Sequence, residues 1–144
     1  MRFVLGAVLA LGLAGMVQAQ DTRSATPETM TLAFIEAYKA RDLAAILPLM
    51  NDNNRAYLTK VAARGEDHPT YRDIFTGWRA EAVDAATGPT GDTRYRPGGE
   101  AMVPIGAAGD EVFVVAFTRA GDVWGIEDVL GPDAQDFEAL PTRP

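Results

Sequence analysis

The chain has 144 residues, a formal net charge of −7 and no cysteine. The acidic excess opposes binding to nucleic acid or to an anionic lipid surface. The absence of thiols excludes disulfides, cysteine nucleophiles and thiolate metal sites. His68 is the single histidine and lies in a predicted loop, so an ordinary His/Cys zinc site cannot be assembled from one chain. The sequence also lacks a Gly-rich phosphate-binding motif, and we therefore expect neither a metal nor a cofactor.

Residues 1–19 have the pattern of a cleavable signal peptide. Arg2 gives a positive start, residues 3–16 form an apolar run, and Val17-Gln18-Ala19 is a small-x-small cleavage pattern. The run is short for a bilayer, so we expect cleavage and no membrane insertion rather than a membrane anchor. Because no cysteine stands at the cleavage site, lipid attachment is excluded. We expect residues 20–144 to be one exported domain, periplasmic or secreted.

The stretch 26–50, TPETMTLAFIEAYKARDLAAILPLM, predicts two helices. Thr26 suits the N-cap and Pro27 the first helical position. The first helix carries an apolar stripe at helical spacing, formed by Met30, Ala33, Phe34, Ala37 and Tyr38. Asp42 can cap the second helix, which Pro48 weakens. A third helix is predicted over residues 55–64, where Gly65 is well placed to end it.

A fourth and longer helix is predicted to begin at Thr70 and to end before Gly88. Its apolar residues repeat at intervals of three and four, as Tyr71, Ile74, Phe75, Trp78 and Ala82. Gly77 interrupts the pattern at some cost to helix stability. The turn-rich link that follows holds at most a short strand at residues 93–96.

The last third of the chain changes to strand-like patterns. Residues 100–105 predict a strand that Pro104 confines to an edge or a bulge. Residues 111–119 are apolar on both faces, and residues 123–130 pair back as a hairpin, so the strands form an antiparallel meander. Residues 131–144 form an acidic, proline-bounded tail that Phe137 and Leu140 can hold down. Helices followed by a meander predict a single α+β domain, with helices on one face of the sheet.

Two stretches of the chain resemble a known family. AFIEAYKARDLAAI is similar to the first two helices, and GDVWGIEDVL to a late strand, of the NTF2-like superfamily, which includes SnoaL and ketosteroid isomerase. Together with the signal-peptide pattern, the resemblance predicts an exported bacterial member of this superfamily. The resemblance also implies that the antiparallel sheet is curved and wraps the helices into a cone with a central cavity. The superfamily contains isomerases, dehydratases, small-ligand binders and association domains, and many members dimerise through the open face of the sheet.

Asp128 is a weak catalytic candidate. Strict alternation along residues 123–130 places it on the more apolar face, with Trp124, Ile126 and Leu130. A partly desolvated carboxylate is a better proton acceptor, as a general base requires. The alternative is that Asp128 reaches solvent at the end of the strand or pairs with an arginine such as Arg79.

Four large rings are the candidates for lining a ligand pocket: Tyr38, Trp78, Phe113 and Trp124. If the helices pack on the inner face of the sheet, these rings can meet around a cavity mouth. The alternative is that they fill the core of a protein without disulfides.

Three functions are compatible with these features. The first is an exported, non-enzymatic domain that binds a small apolar molecule or a protein of the cell envelope, and the poverty of catalytic groups favours it. The second is a cofactor-independent isomerase or dehydratase that uses Asp128 as its base. The third is a structural homodimer, since the strand over residues 111–119 is apolar on both faces and helices can cover one of them.

Overall fold

The computed structural model of the protein describes residues 25–144, so the expected signal peptide at 1–19 lies outside the described residues. In the described part, helices come first and a four-stranded antiparallel sheet follows, which confirms the predicted α+β class.

The first three predicted helices are confirmed, with capped beginnings. Helix α1 spans Pro27–Lys39 and begins at Thr26, whose Oγ1 accepts a hydrogen bond from the Thr29 amide at 3.3 Å. Helix α2 spans Leu43–Ile46 and continues as a 3₁₀ turn over Leu47–Leu49, which contains Pro48. Helix α3 spans Asp52–Arg64, begins earlier than predicted and ends at Gly65.

The predicted long fourth helix, from Thr70 to before Gly88, is wrong over its first part and present only over Ala80–Ala85. Residues 69–79 form two 3₁₀ turns, Pro69–Tyr71 and Ile74–Thr76, and a short helix α4 over Ala80–Ala85 follows. Trp78 and Arg79, with φ of 50° and 53°, lie in the left-handed region and interrupt any continuous helix. The apolar spacing misled the prediction because a 3₁₀ turn also brings residues three apart onto one side.

The sheet is a meander with the order β1-β2-β3-β4. Its strands span Arg94–Tyr95, Ala101–Ala108, Glu111–Ala120 and Val123–Leu130. The register of β2 against β3 shifts between Pro104 and Gly106, so Pro104 lies beside a bulge, one of the two positions that the sequence predicts for it. The rings of Tyr95 on β1 and Trp124 on β4 are 6.4 Å apart, although these strands would be about 14 Å apart in a flat sheet. The sheet is therefore strongly curved.

The concave face of the sheet carries the main core. Its fully buried members come from α1, α2 and the strands, and include Phe34, Tyr38, Ile46, Phe117 and Ile126. The convex face carries a smaller core of Met102, Val114 and Phe137, with Leu140 packed against it. Phe137 belongs to helix α5, Ala134–Glu138. The C-terminal segment of the same chain therefore packs on the convex face, which the homodimer hypothesis left for a second subunit to cover.

Helix α3 is fixed to the free edge of β4. The Asn51 amide donates a hydrogen bond to the Ile126 carbonyl at 2.9 Å, and Asn54 Nδ2 donates to the Glu127 carbonyl at 2.6 Å. Gly125 permits this contact, because a Cβ there would lie 2.5 Å from Asn51 Cα. The edge of β4 is thereby covered at Ile126 and Glu127, and the start of α3 has a defined position.

Candidate functional site

The four predicted pocket rings lie in three separate places. Tyr38 and Trp78 meet with ring centroids 6.4 Å apart, in a cluster that also contains Phe34 and Phe75. Trp124 packs beside Tyr95, and the Phe113 ring lies 5.8 Å from the Arg79 guanidinium. The four rings therefore do not surround one cavity mouth.

Tyr38 belongs to the core rather than to a pocket wall. Its side chain is fully buried, and its hydroxyl donates a hydrogen bond to the Gly77 carbonyl at 2.8 Å. Burial raises the pKa of Tyr38, since the apolar surroundings disfavour the phenolate, while the nearby Arg41 opposes this effect. The hydroxyl stays protonated and holds the turn before Trp78 in place.

The prediction that Asp128 shares a face with Trp124 and Ile126 is wrong. Ala116 pairs with Asp128 whereas Phe117 pairs with Ile126, so Glu127 forms a bulge that shifts the alternation by one residue. Asp128 lies on the convex side with Leu130, half-buried, and accepts a hydrogen bond from the Val129 amide at 2.8 Å.

The alternative pairing of Asp128 with Arg79 does not occur either. Arg79 forms an ion pair with Glu111, at an N–O distance of 2.7 Å. Among the described residues, the Asp128 carboxylate accepts a hydrogen bond only from the Val129 amide. It therefore has no acidic or basic side chain as a partner there.

A groove lies between α3 and the irregular segment that replaces the predicted fourth helix. We call it the Trp78 groove; its volume is about 260 Å³, and it is lined by Asn54, Tyr57, Leu58, Thr70, Asp73, Ile74, Gly77 and Trp78. Leu58 and Ile74 are buried and form its apolar floor, while Tyr57 is 49% exposed at the mouth. The Tyr57 hydroxyl and Thr70 Oγ1 are hydrogen-bonded at 2.9 Å, which ties the two walls together.

The backbone at Trp78 is held in an unfavourable conformation. Two successive bulky residues with positive φ cost about 1–2 kcal/mol each relative to right-handed geometry. The Trp78 and Phe34 rings pack in a T-shaped arrangement with their centroids 5.8 Å apart, and Arg79 is held by an ion pair with Glu111. Such residues persist where their surroundings compensate for the strain, and they concentrate at ligand sites.

Sequence reasoning predicted a helix over residues 55–64, which contains Tyr57 and Leu58, but it identified neither of these residues nor Asp73 as part of a site. The groove depends on the non-helical path of residues 69–79, which periodicity alone does not reveal. The dipeptide Thr76-Gly77 before Trp78 is the local signal, because both residues favour a break in a helix.

Two further open grooves contain the remaining candidate rings. One, of about 270 Å³, lies at the β3–β4 turn and is lined by Trp124 together with polar side chains that include Asn51, Asp52 and Arg119. The other, of about 310 Å³, lies between α4 and Phe113, next to Arg79. Each of these two grooves is lined by at least one arginine, whereas the lining of the Trp78 groove contains none.

Fold and site define an α+β domain in which helices cover the concave face of a curved antiparallel meander and leave a groove at their side. No family model, curated protein or solved structure matches the chain. Between residues 25 and 144, no helix is both long and apolar enough to cross a bilayer. The same range contains no group of three or more acidic or histidine side chains arranged to hold a metal ion.

Proposed function

We propose that this protein is an exported, non-enzymatic binding domain whose Trp78 groove takes up a small apolar ligand. The observation that carries the proposal is the groove itself: a buried apolar floor, an aromatic ring on each side and a few hydrogen-bonding groups at the rim. Ligand sites commonly combine apolar walls with a small number of polar groups. The volume of about 260 Å³ suits a small molecule.

Binding is favoured over catalysis by the side chains in the groove. Asp73 is the single carboxylate in the lining, and the lining contains no histidine or lysine that could complete an acid–base pair with it. Asp128, the base of the alternative enzyme hypothesis, lies on the convex side of the sheet.

We also propose that the fold is a small NTF2-like cone. The order of helices before sheet and the strong curvature of the meander support this. The central cavity that the resemblance implies differs here, because Phe34, Tyr38 and Phe117 fill the space between helices and sheet. The ligand site accordingly lies beside the cone, between α3 and the segment at Trp78.

Fluorescence of Trp78 provides the test. A Trp124→Phe background leaves Trp78 as the single tryptophan, so quenching by the neutral apolar dye N-phenylnaphthylamine reports on the groove. Gly77→Leu in this background adds a side chain at the groove, and a Cβ there meets only backbone oxygens at 3.5 and 3.8 Å. Ala120→Leu is the matched control, because it adds the same side chain to the groove at the β3–β4 turn.

We expect saturable quenching that Gly77→Leu weakens by about tenfold, corresponding to about 1.4 kcal/mol of lost binding, and that Ala120→Leu leaves unchanged. Circular dichroism of each variant verifies that the fold is retained. Absence of quenching in the folded Trp124→Phe protein, or equal loss in both leucine variants, would overturn the proposal.

A further inference from the structure

We propose that the ligand of the Trp78 groove is a small organic cation, an amine or quaternary ammonium attached to an apolar body. The inference rests on the proposed function and adds the charge of the ligand to it. It is carried by the charge of the groove and by its two aromatic rings, Tyr57 and Trp78, neither of which has an arginine above it within residues 25–144.

The groove is electrostatically suited to a positive charge. Its lining contains one carboxylate, Asp73, and no lysine or arginine. Asp73 is exposed at the rim and forms no ion pair with any residue between 25 and 144. The protein as a whole carries a net charge of −7, which attracts cations toward its surface at low ionic strength.

Five aromatic rings elsewhere in the described part of the chain have an arginine above them. Arginine side chains lie 5.0–5.9 Å from the ring centres of Tyr38, Phe75, Phe113, Phe137 and Trp124. Tyr57 and Trp78, the two rings of the groove, have no such arginine among the described residues. The faces of Trp and Tyr rings attract ammonium groups, Trp most strongly, so a ligand cation at these two rings has no arginine of the described residues to displace.

The other two grooves do not share this combination. Arg55 and Arg119 line the groove at the β3–β4 turn, and Arg79 lines the groove at Phe113. An incoming cation would meet a like charge in either place. The Trp78 groove is thus the one of the three that pairs aromatic rings with a carboxylate and no basic side chain.

Three probes of similar size separate charge from apolar contact: phenylethylammonium, phenylethanol and phenylacetate. Each is titrated against the dye-loaded Trp124→Phe protein, and displacement of N-phenylnaphthylamine gives its dissociation constant. We expect the ammonium to bind about tenfold more tightly than the alcohol and the carboxylate to bind most weakly, with the ammonium's advantage reduced at high salt.

Asp73→Asn removes the groove carboxylate, and Asp67→Asn removes the same charge from an exposed site outside the lining. We expect Asp73→Asn to reduce the preference for the ammonium to about twofold or less, while Asp67→Asn keeps it. Equal affinity for ammonium and alcohol, or equal effects of the two variants, would overturn the inference. Dye binding separates failure of this inference from failure of the proposed function. If the dye binds but the ammonium is not preferred over the alcohol, only the inference fails. If the dye does not bind, the proposed function fails as well.

Discussion

Gly125→Ala should disrupt the close contact that fixes the start of helix α3 to strand β4. The added Cβ would lie 2.5 Å from Cα, 2.8 Å from the amide nitrogen and 2.9 Å from Cβ of Asn51. Carbon atoms in contact prefer separations of about 3.5–4.0 Å, so the backbone at Asn51 must move by about 1 Å. The hydrogen bond from the Asn51 amide to the Ile126 carbonyl, now 2.9 Å, would then be broken or badly stretched.

The expected loss of stability follows from these contacts. Overpacking of this kind costs about 1–3 kcal/mol, and losing a backbone hydrogen bond costs about 1 kcal/mol. Partial relief by movement of α3 offsets some of the sum, so we expect the free energy of unfolding to fall by about 3 kcal/mol. Because the same helix supplies Tyr57 and Leu58, dye affinity in the Trp78 groove should fall as well.

Urea unfolding followed by circular dichroism measures the change, with Gly106→Ala as the matched control. Gly106 also lies in a strand, but a Cβ there would meet only the Phe113 ring, at an ordinary 3.8 Å. We expect the control to change stability by less than about 1 kcal/mol. If Gly125→Ala proved as stable as Gly106→Ala, the close contact of Asn51 with β4 would be refuted.

Two further substitutions test the supports around the main core. Tyr38→Phe removes the buried donor to the Gly77 carbonyl and should lower the free energy of unfolding by about 1–2 kcal/mol, measured by urea unfolding. Burial opposes ionisation of Glu28, but hydrogen bonds, including that from Thr93, outweigh it, so the pKa of Glu28 is lowered below its ordinary 4.5. The stability that ionised Glu28 adds to the fold is fully present above pH 4.5. It is lost as the pH falls through the lowered pKa that Glu28 has in the folded protein. Thr93→Val should therefore destabilise the protein more at neutral than at strongly acidic pH, and an equal effect at both would contradict this assignment.

Local signals in the sequence were sufficient where the chemistry is local. Thr26 and Pro27 predict the start of α1, and Gly65 predicts the end of α3, because caps act on the adjacent turn alone. Pro104 predicts an edge or a bulge, because proline has no N–H to donate to a neighbouring strand, and the register of β2 does shift beside it.

The site was harder to predict because it depends on tertiary contacts. The left-handed pair Trp78–Arg79 is held by Phe34 and Glu111, which are far away in sequence. The bulge at Glu127, which moves Asp128 to the convex side, coincides with the hydrogen bond from Asn54 to the Glu127 carbonyl. Neither feature depends on the spacing of apolar residues along the sequence. The residues that line the groove could therefore not be predicted from that spacing.

Binding in the Trp78 groove is the central claim, and an amide NMR titration of the protein with N-phenylnaphthylamine tests it most directly. The account predicts that saturable chemical-shift changes are confined to residues 54–58 and 70–78, which line the groove from its two sides. Changes centred instead on residues 118–125, or no saturable change in any amide, would contradict it.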